Sequence, residues 1–294
     1  MERLLIIDGH AYAYRAFYAI RELRSPSGEP TNALYGFIKM VAKLRAKVLP
    51  THWIVVWDGG LCAERLALLP QYKAQRPEMP ELLRPQLDAI GCYLDAARIA
   101  SFCRDGVEAD DHIACLARRA NELDWTTVIA SSDKDFMQLV SPRVGLLNPH
   151  DKTAAIWTDE HVRSKTGVGP SQIVDWLSLT GDSVDNIAGV PGVGPKTAAA
   201  LLQQFGAVEQ LFERLDDVKQ EKLRVSLRGA MDIVRRNRVL VRLHEVECDF
   251  SPEELAVKAP DTGRLRDLYS RWGFITLRAE LEDAPPHQRQ TALI

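Results

Sequence analysis

Hydrophobic residues in the first half of the chain form short aliphatic runs separated by longer amphipathic stretches. Four runs do not alternate apolar with polar positions and therefore predict strands buried on both faces: residues 4–8, 53–58, 127–131 and 144–147. Helical periodicity separates them at residues 34–48, 82–97 and 111–123. This order predicts an α/β fold with a mainly parallel central sheet flanked by helices.

The second half of the chain predicts no convincing strand after about residue 158. Glycine and proline divide it into helices, so we expect an α/β domain over residues 1–160 and an all-α domain over residues 161–282. The polar, proline-containing stretch 283–294 predicts a flexible tail. The first apolar run stops at Asp8, too short for a signal peptide, and no later run reaches the length of a membrane span.

Composition and charge narrow the function only slightly. The 294 residues are 46% hydrophobic and 26% charged, and five scattered cysteines without a CxxC pair suit a reducing cytoplasm and argue against a disulfide framework or a zinc site. The formal net charge is −3, yet residues 218–243 carry eight basic and two acidic residues. That stretch fits a surface that tracks DNA phosphates, although charge alone favours a solvated helix face.

Three of the four predicted strands run directly into an aspartate, namely Asp8, Asp58 and Asp133. The carboxyl ends of parallel strands meet at one edge of the sheet, where ligands bind, so we expect these side chains to lie together. Neighbouring carboxylates resist ionising together unless cations lie between them. A single aspartate of this kind is most often a turn or helix cap, but three are harder to explain in that way.

Further carboxylates lie in tight clusters, and the additional candidates are Glu108, Asp110, Asp111, Asp135, Asp182 and Asp185. Neutralising all nine would move the formal net charge from −3 to +6, so the protein with metals bound would be effectively basic. Oxygen ligands without histidine or cysteine indicate Mg²⁺ or Mn²⁺. Two such ions a few ångströms apart are the usual apparatus for phosphodiester hydrolysis. Metal binding therefore explains the nine carboxylates better than nine separate caps.

A glycine-rich turn precedes a helix predicted at residues 197–205. It nearly matches a nucleotide-binding P-loop, but Pro195 lies where the lysine must follow the glycine, which argues against a triphosphate site. What remains is a tight turn that offers helix N-terminal amides to a phosphate, similar to a helix-hairpin-helix motif that grips duplex backbone without reading sequence. The candidate DNA-binding residues are Gly189, Gly192, Gly194, Lys196 and Thr197.

Six motifs that follow one another along nearly the whole chain resemble the bacterial and phage 5′-nucleases, most of all the N-terminal nuclease domain of bacterial DNA polymerase I. They are LLIIDGHAYAYRAFYA, VVWDG, YKAQRPEMP, GVEADD, SSDKDFMQLV and TGDSVDNIAGVPGVGPKTA. The resemblance implies a flap endonuclease and 5′→3′ exonuclease that acts on DNA in replication and repair. By motif position, it implies a first metal site of Asp58, Glu108, Asp110 and Asp111, with Asp8 alongside through water. A second site would be formed by Asp133, Asp135, Asp182 and Asp185.

The resemblance also implies a helical arch at about residues 60–100. Lys73 and Arg76 would orient and neutralise the scissile phosphate at the base of the arch, with Tyr72 and Arg65 at neighbouring positions. Arg15 would contact a phosphate near the active site.

The same resemblance implies that the glycine turn binds downstream duplex, with a monovalent cation such as K⁺ bridging backbone carbonyls to a phosphate. Two residues depart from the family pattern. Glu64 replaces an aromatic residue and Ala188 replaces a proline. Neither is a predicted metal ligand, but Glu64 bears on how the arch contacts a threaded strand.

Two other functions fit part of the sequence. A non-catalytic DNA-junction binder would need only the hairpin motif and the basic stretch, and the complete set of acids argues against it. An RNA-directed nuclease of related acidic-site α/β type is usually shorter and lacks a helix-hairpin-helix domain. No polymerase region follows, so we expect a stand-alone enzyme or an excised domain, monomeric, cytoplasmic and associated with the bacterial nucleoid.

The end of the chain predicts one protein partner. Gln290 is followed at the third and fourth positions by Leu293 and Ile294, which resembles the short peptide by which bacterial replication proteins dock on the sliding clamp. A disordered end can place two aliphatic side chains in an apolar groove while a glutamine hydrogen-bonds beside it. The usual final aromatic residue is missing, and so short a motif often matches by chance.

Overall fold

The computed structural model describes residues 2–247 and 250–283 and is built around a six-stranded sheet in the order β3-β2-β1-β4-β5-β6. The strands are β1 (Arg3–Asp8), β2 (His52–Trp57), β3 (Ala100–Cys103), β4 (Thr126–Ala130), β5 (Val144–Leu147) and β6 (Ile156–Trp157). β6 runs antiparallel to β5, and the other neighbouring strands are parallel. The mainly parallel sheet predicted from the aliphatic runs is confirmed.

The sequence pattern misses the shortest and most exposed strands. β3 has four residues, of which Ser101 and Cys103 are exposed, so it lacks an aliphatic run. β6 has only two residues. In the second half, where no strand is predicted, β7 (Gly181–Asp182) and β8 (Ile187–Ala188) pair in a short antiparallel hairpin.

Alternate side chains of β1 enter two different hydrophobic cores. The helices before residue 125 are α1 (Gly9–Ala19), α2 (Asn32–Val48), α3 (Ala63–Leu68), α4 (Arg84–Ala96) and α5 (Ala109–Glu122). Leu5 and Ile7 pack with α1, α2 and α4, whereas Leu4 and Ile6 pack with α5 on the opposite face. A sheet covered on both faces needs apolar residues at every strand position, which explains the uninterrupted aliphatic runs.

The helices that follow the sheet are divided between the two cores. They are α6 (Asp159–Thr166), α7 (Ile173–Thr180), α8 (Pro195–Phe205), α9 (Val208–Glu213), α10 (Glu221–Gly229), α11 (Met231–Val241), α12 (Pro252–Leu255), α13 (Thr262–Trp272) and α14 (Ile275–Asp283). α6 to α11 continue the α5 core, but Leu265, Trp272 and Leu277 of α13 and α14 pack with α2 and α4. The last two helices of the predicted helical domain at 161–282 therefore pack with helices of the predicted α/β domain.

The predicted arch at about residues 60–100 is only partly a separate element. α3 has six residues and is followed by turns, and α4 buries Ile90, Tyr93 and Leu94 in the core beside the sheet. Residues 60–83 are thus the part of the predicted arch that does not pack as a core helix.

Two further predictions concern membrane-spanning helices and the C-terminal tail. Over residues 2–247 and 250–283, none of the helices combines the length and the apolar character that crossing a bilayer requires. The predicted tail from residue 284 onward lies outside the described residues, and with it Gln290, Leu293 and Ile294 of the predicted clamp peptide.

Candidate active site

The strand-end aspartates meet at one edge of the sheet, as predicted. Asp8 ends β1, Asp58 follows β2 and Asp133 follows β4, and these three strands are neighbours in the order β2-β1-β4. Asp8 accepts hydrogen bonds from the Ala11 amide at 3.0 Å and from the Ser131 hydroxyl at 2.7 Å. Asp8 is therefore held rigidly at the centre of this edge.

Carboxylates from the helical part of the chain complete the cluster. Carboxylate oxygens of Asp135, Asp182 and Asp185 all lie within 4.8 Å of one another, and all three residues are buried. Asp182 belongs to β7, and Asp185 lies in the turn that leads to β8. The Oδ1 atom of Asp135 is buried and has no hydrogen-bond partner among residues 2–247 and 250–283. A buried, unpaired carboxylate oxygen beside two further carboxylates fits an oxygen-ligated divalent cation.

The carboxylates that act on one another at this edge, called the acidic edge below, are Asp8, Asp58, Glu108, Asp110, Asp133, Asp135, Asp182 and Asp185. Several of them are hard to ionise in the absence of cations. Burial, together with the charges of Asp185 and Asp8, raises the pKa of Asp133 to about 6. Burial and then the charge of Asp133 raise the pKa of Asp110 and of Asp135 well above the usual range. Burial also raises the pKa of Asp8. These acids therefore form one electrostatic cluster that favours bound positive charge.

The metal-free protein is expected to lose stability as the pH rises from about 5 to 8. Because Asp110, Asp133 and Asp135 have raised pKa values, the folded chain holds protons that the unfolded chain releases, and stability falls as these groups ionise. Bound Mg²⁺ should offset the repulsion. Thermal unfolding in EDTA and in MgCl₂ tests this: Mg²⁺ should raise Tm more at about pH 8 than at about pH 5, and an equal rise would contradict the interpretation.

Lys73 is buried among the acids rather than exposed at an arch. Its ammonium group contacts Glu108 directly and lies 3.8 Å from Asp185 and 3.9 Å from Asp110. Its backbone has a φ of 55°, in the left-handed region, and its amide donates to the Asp185 carbonyl at 3.0 Å. Burial would raise the pKa of Glu108, but Lys73 and Arg65 outweigh it and lower that pKa. Lys73 thus neutralises the inner side of the acidic cluster.

Arg65, a predicted DNA contact, and Asp111, a predicted metal ligand, form a buried ion pair with each other. The Arg65 guanidinium donates to both oxygens of Asp111, at 2.7 and 2.8 Å, and each side chain is 2% exposed. Arg65 also donates to the backbone carbonyls of Leu240 and Arg242, both at 3.0 Å. Arg65, predicted as a DNA contact, therefore lies in the interior. Both carboxylate oxygens of Asp111 accept hydrogen bonds from Arg65, and one also accepts the amide hydrogen of His244. Asp111 is therefore not part of the carboxylate group formed by Asp135, Asp182 and Asp185.

Arg76 is a basic residue that reaches solvent at the acidic edge. Its side chain is 38% exposed and donates to Asp185 at 2.9 Å, while it lies 4.0 Å from Asp58. Tyr72 is buried beneath, and its hydroxyl donates to Glu108 at 3.1 Å. Arg76 is thus placed to meet an incoming anion, whereas Tyr72 positions the carboxylates.

Three residues at this edge are not predicted from the sequence. Ser131 donates to Asp8, and Lys134 forms an ion pair with Asp182 at 3.0 Å. Nδ1 of His10 accepts the amide hydrogen of Asp58 at 3.1 Å. All three are neighbours of predicted ligands within the quoted motifs, so proximity in sequence was the available signal.

The predicted helix-hairpin-helix arrangement is present as α7, the hairpin of β7 and β8, and α8. Gly192 has a φ of 82°, which only glycine adopts readily, and a Cβ atom at Gly192 or Gly194 would meet nothing within 4 Å. A Cβ atom at Gly189 would lie 2.3 Å from the Thr180 backbone, so this glycine is needed for close packing. Lys196 is exposed in the first turn of α8, and Thr197 is half-buried beside it.

Ala188, one of the two departures from the family pattern, lies in β8. Its carbonyl accepts a hydrogen bond from the buried Asn237 side chain at 2.8 Å, which ties the hairpin to α11. The register with Gly181 is regular, so the absence of proline does not disturb the pairing.

Arg15 lies on α1, beside a surface groove. Its guanidinium contacts the His150 ring nitrogen at 2.7 Å, and Tyr14, Tyr18 and Ser132 also line the groove. Ser132 precedes Asp133, so the groove borders the acidic edge.

Four of the eight basic residues at 218–243 form ion pairs with nearby acids. The ion pairs are Arg224–Glu221, Arg228–Asp216, Arg235–Asp232 and Arg238 with Asp175 and Glu209. The interpretation favoured from charge alone, a solvated helix face, agrees with this pairing. Lys219, Lys222 and Arg242 are exposed and have no ion-pair partner within residues 2–247 and 250–283.

Two family models match consecutive parts of the chain. Residues 3–167 match the model described as 5′-3′ exonuclease, N-terminal resolvase-like domain. Residues 168–263 match the model described as 5′-3′ exonuclease, C-terminal SAM fold. The chain belongs to the 5′-3′ exonuclease family. The predicted resemblance to 5′-nucleases is thereby confirmed, and with it the assignment of the chain as a nuclease.

Similar proteins include free-standing and polymerase-linked members of the family. A 5′-3′ exonuclease of Aquifex aeolicus is 37% identical over 283 residues, which is 96% of each chain. DNA polymerase I of Bacillus caldotenax is 36% identical over 284 residues, covering 96% of this chain but 32% of the polymerase. T5 5′-exonuclease, solved with bound zinc, is 25% identical, with a TM-score of 0.67 over 82% of this chain and 90% of that one. Family membership and the buried acidic cluster together identify a metal-dependent nuclease.

Proposed function

We propose that this nuclease is a structure-specific DNA 5′-nuclease, a flap endonuclease and 5′→3′ exonuclease that cuts near 5′ ends or junctions of single- and double-stranded DNA in replication and repair. The observation that carries the proposal is the unpartnered, buried Oδ1 of Asp135 beside Asp182 and Asp185. A T5 flap endonuclease of the same fold, with a TM-score of 0.69, was solved with DNA and metal ions, which supports DNA as the substrate.

The acidic edge would hold two divalent ions, Mg²⁺ or Mn²⁺, because its donors are carboxylate oxygens. We assign one site to Asp133, Asp135, Asp182 and Asp185, and the other to Asp8, Asp58, Glu108 and Asp110. Ions bound here neutralise phosphate charge and lower the pKa of water. The protein itself contributes the fixed positions of these carboxylates and the cations behind them.

Two basic side chains would serve the site in different ways, Arg76 at its surface and Lys73 in its interior. Arg76 reaches solvent between Asp185 and Asp58 and is assigned to hold the scissile phosphate. Lys73 lies deeper and keeps Glu108 ionised and in place, and Tyr72 fixes the same carboxylate. Lys73 and Tyr72 therefore support the site from within, whereas Arg76 is placed to meet an incoming strand.

Duplex DNA would lie along α8, outside the acidic edge. The α8 N-terminus and Lys196 are exposed, and the open space at Gly192 and Gly194 lets a phosphate approach the backbone closely. A K⁺ ion would bridge hairpin carbonyls to that phosphate. Arg15, beside the groove that borders Ser132, is assigned to a phosphate near the cut.

Changes at this turn should weaken duplex binding without unfolding the protein. Gly194→Val adds a side chain in open space at an ordinary φ of −93°, so it should fold and still block a phosphate. Lys196→Ala should reduce the magnitude of the slope of log K against log[salt] by about 1. Gly91→Val and Lys47→Ala are the matched controls, since both sites are exposed and distant in sequence from the turn. An unchanged salt slope in Lys196→Ala would remove this phosphate contact from the proposal.

Cleavage of matched DNA and RNA flaps, with Mg²⁺ and with EDTA, tests the proposed function. The proposal expects DNA cleavage that EDTA abolishes and much weaker RNA cleavage. Binding of DNA without cleavage would instead indicate a junction binder. Preferential cleavage of RNA would indicate an RNA-directed nuclease.

Two further proposals concern the oligomeric state and a protein partner. A monomer is expected, and the tail at Gln290, Leu293 and Ile294 is proposed to dock on the sliding clamp in the bacterial nucleoid, which would raise the local concentration of nuclease at nicks. Clamp binding by the intact chain and by a version ending at Arg289 decides this point. Equal binding by both, or none, would dismiss the clamp contact.

A further inference from the structure

A second cluster of metal-ligating side chains lies outside the acidic edge. Cys62 directly precedes α3, and His244 lies in the loop after α11. The Cys62 sulfur lies 3.9 Å from Nδ1 of His244, and a carboxylate oxygen of Glu64 lies 3.7 Å from the same nitrogen. Ligand atoms of Cys62, His244 and Asp111 all lie within 4.8 Å of one another. The cluster thus contains a thiol, an imidazole and carboxylates.

The hydrogen bonds of His244 direct its free nitrogen into this cluster. Its Nε2 lies 3.3 Å from the Val239 carbonyl, which can only accept, so Nε2 carries the hydrogen. Nδ1 then has a lone pair, and this lone pair faces Cys62 and Glu64. The amide of His244 donates to Asp111 at 2.7 Å, which fixes the loop. Histidine ligands of metals typically donate their other ring N–H to a carbonyl or carboxylate in this way.

The spacing is close to that of a tetrahedral zinc site. Zinc bonds of about 2.3 Å to sulfur and 2.1 Å to nitrogen or oxygen place neighbouring ligand atoms roughly 3.4–3.6 Å apart. The distances of 3.9 and 3.7 Å exceed this by only a few tenths of an ångström. Because Arg65 holds both oxygens of Asp111, the members of this group left to bind are Cys62 and His244. Glu64 contacts His244, and its 80% exposed side chain would rotate toward Cys62 to become the third ligand.

We propose that Cys62, His244 and Glu64 form a third metal site, selective for a thiophilic divalent ion such as Zn²⁺ or Co²⁺. The ion replaces the thiol proton of Cys62, which is released to solvent, and binds the thiolate, Nδ1 and one carboxylate oxygen. Sulfur and nitrogen donors favour such ions over Mg²⁺, so this site does not compete for the ions of the acidic edge. A surface groove lined by Glu64, His244, Arg118 and Arg242 provides an entry path.

Such an ion would tie the start of α3 to the loop after α11. The Cys62 amide donates to Glu108 at 3.0 Å, and α3 carries Arg65, the partner of Asp111. The site would therefore hold the start of α3 in place and, through it, the positions of Glu108 and Arg65. Cys62 and His244 are 182 positions apart in the chain. Sequence spacing alone therefore does not reveal this site, and the scattered cysteines argue against zinc when only spacing is considered.

Cobalt binding by the reduced, full-length protein in saturating Mg²⁺ tests the site, because a thiolate-to-cobalt charge-transfer band reports cysteine ligation without any cleavage. One equivalent of Co²⁺ should saturate the band. Cys62→Ser and His244→Ala should each abolish it, and Glu64→Gln should weaken Co²⁺ binding by about 10-fold or more. Cys92→Ser, at an exposed cysteine on α4, is the matched control and should keep the band.

Thermal unfolding under the same conditions supplies an independent readout. One equivalent of Zn²⁺ should raise Tm of the parent protein and of Cys92→Ser, and should leave Cys62→Ser and His244→Ala unchanged. If either of those two variants fails to fold, the other carries the test. Absence of the band in the parent protein, or its persistence in Cys62→Ser or His244→Ala, would overturn the proposal.

Discussion

Asp110→Asn is expected to abolish cleavage and to leave DNA binding nearly intact. Asp110 lies in the first turn of α5, and the charges of Asp133, Asp8 and Glu108 all act on its carboxyl group. The amide keeps the shape of the side chain but removes the charge that would hold a divalent ion. DNA affinity comes mainly from phosphate contacts elsewhere and should survive. Single-turnover cleavage and equilibrium binding to the same flap substrate measure the two effects.

Asp232→Asn is the matched control for this change, because the Asp232 side chain is 97% exposed on α11. It should cut at the rate of the parent protein. Near-normal turnover in Asp110→Asn would contradict the assignment of the acidic edge as the catalytic metal centre. Loss of DNA binding in Asp110→Asn would instead mean that this carboxylate organises the fold.

Arg76→Ala is expected to lower kcat by roughly 10²-fold with a smaller change in KM. Its guanidinium is half-exposed beside Asp185 and Asp58, where it can stabilise charge that develops on the scissile phosphate. Lys73→Ala should also slow cleavage, but it removes the buried partner of Glu108 and so should destabilise the fold as well. Arg76 therefore separates catalysis from stability more cleanly.

Steady-state kinetics on one flap substrate, with Arg143→Ala as the control, tests this prediction. Arg143 forms a surface ion pair with Asp124. If Arg76→Ala raised only KM, the residue would bind DNA in the ground state and would have no special contact with the transition state.

The sequence suffices to predict four of the six strands of the main sheet and the aspartates that follow three of them. A strand buried on both faces must be aliphatic at every position, so β1, β2, β4 and β5 are visible as uninterrupted runs. The polar residue that ends such a run lies at the sheet edge, which locates Asp8, Asp58 and Asp133 together. β3 escapes detection because alternate residues of this short strand are exposed.

What the sequence leaves undecided is the partner of each charge. Arg65 in α3 is compatible with a DNA contact, and only the chain around Leu240 and Arg242, which covers it with backbone carbonyls, makes it an interior residue. α13 and α14 read as part of the second domain because helical periodicity does not say which core a helix joins. The Cys62–His244 pair is invisible for the same reason, since it depends on long-range packing.

Cleavage mapping on an end-labelled double-flap DNA tests the central claim most directly, because it reads polarity, junction dependence and metal dependence in one measurement. The account predicts that, in Mg²⁺, the protein releases the 5′ flap by incision at or next to the junction, and that EDTA or Asp110→Asn removes this product. Cleavage that starts from the 3′ end, ignores the junction or persists in EDTA would contradict it.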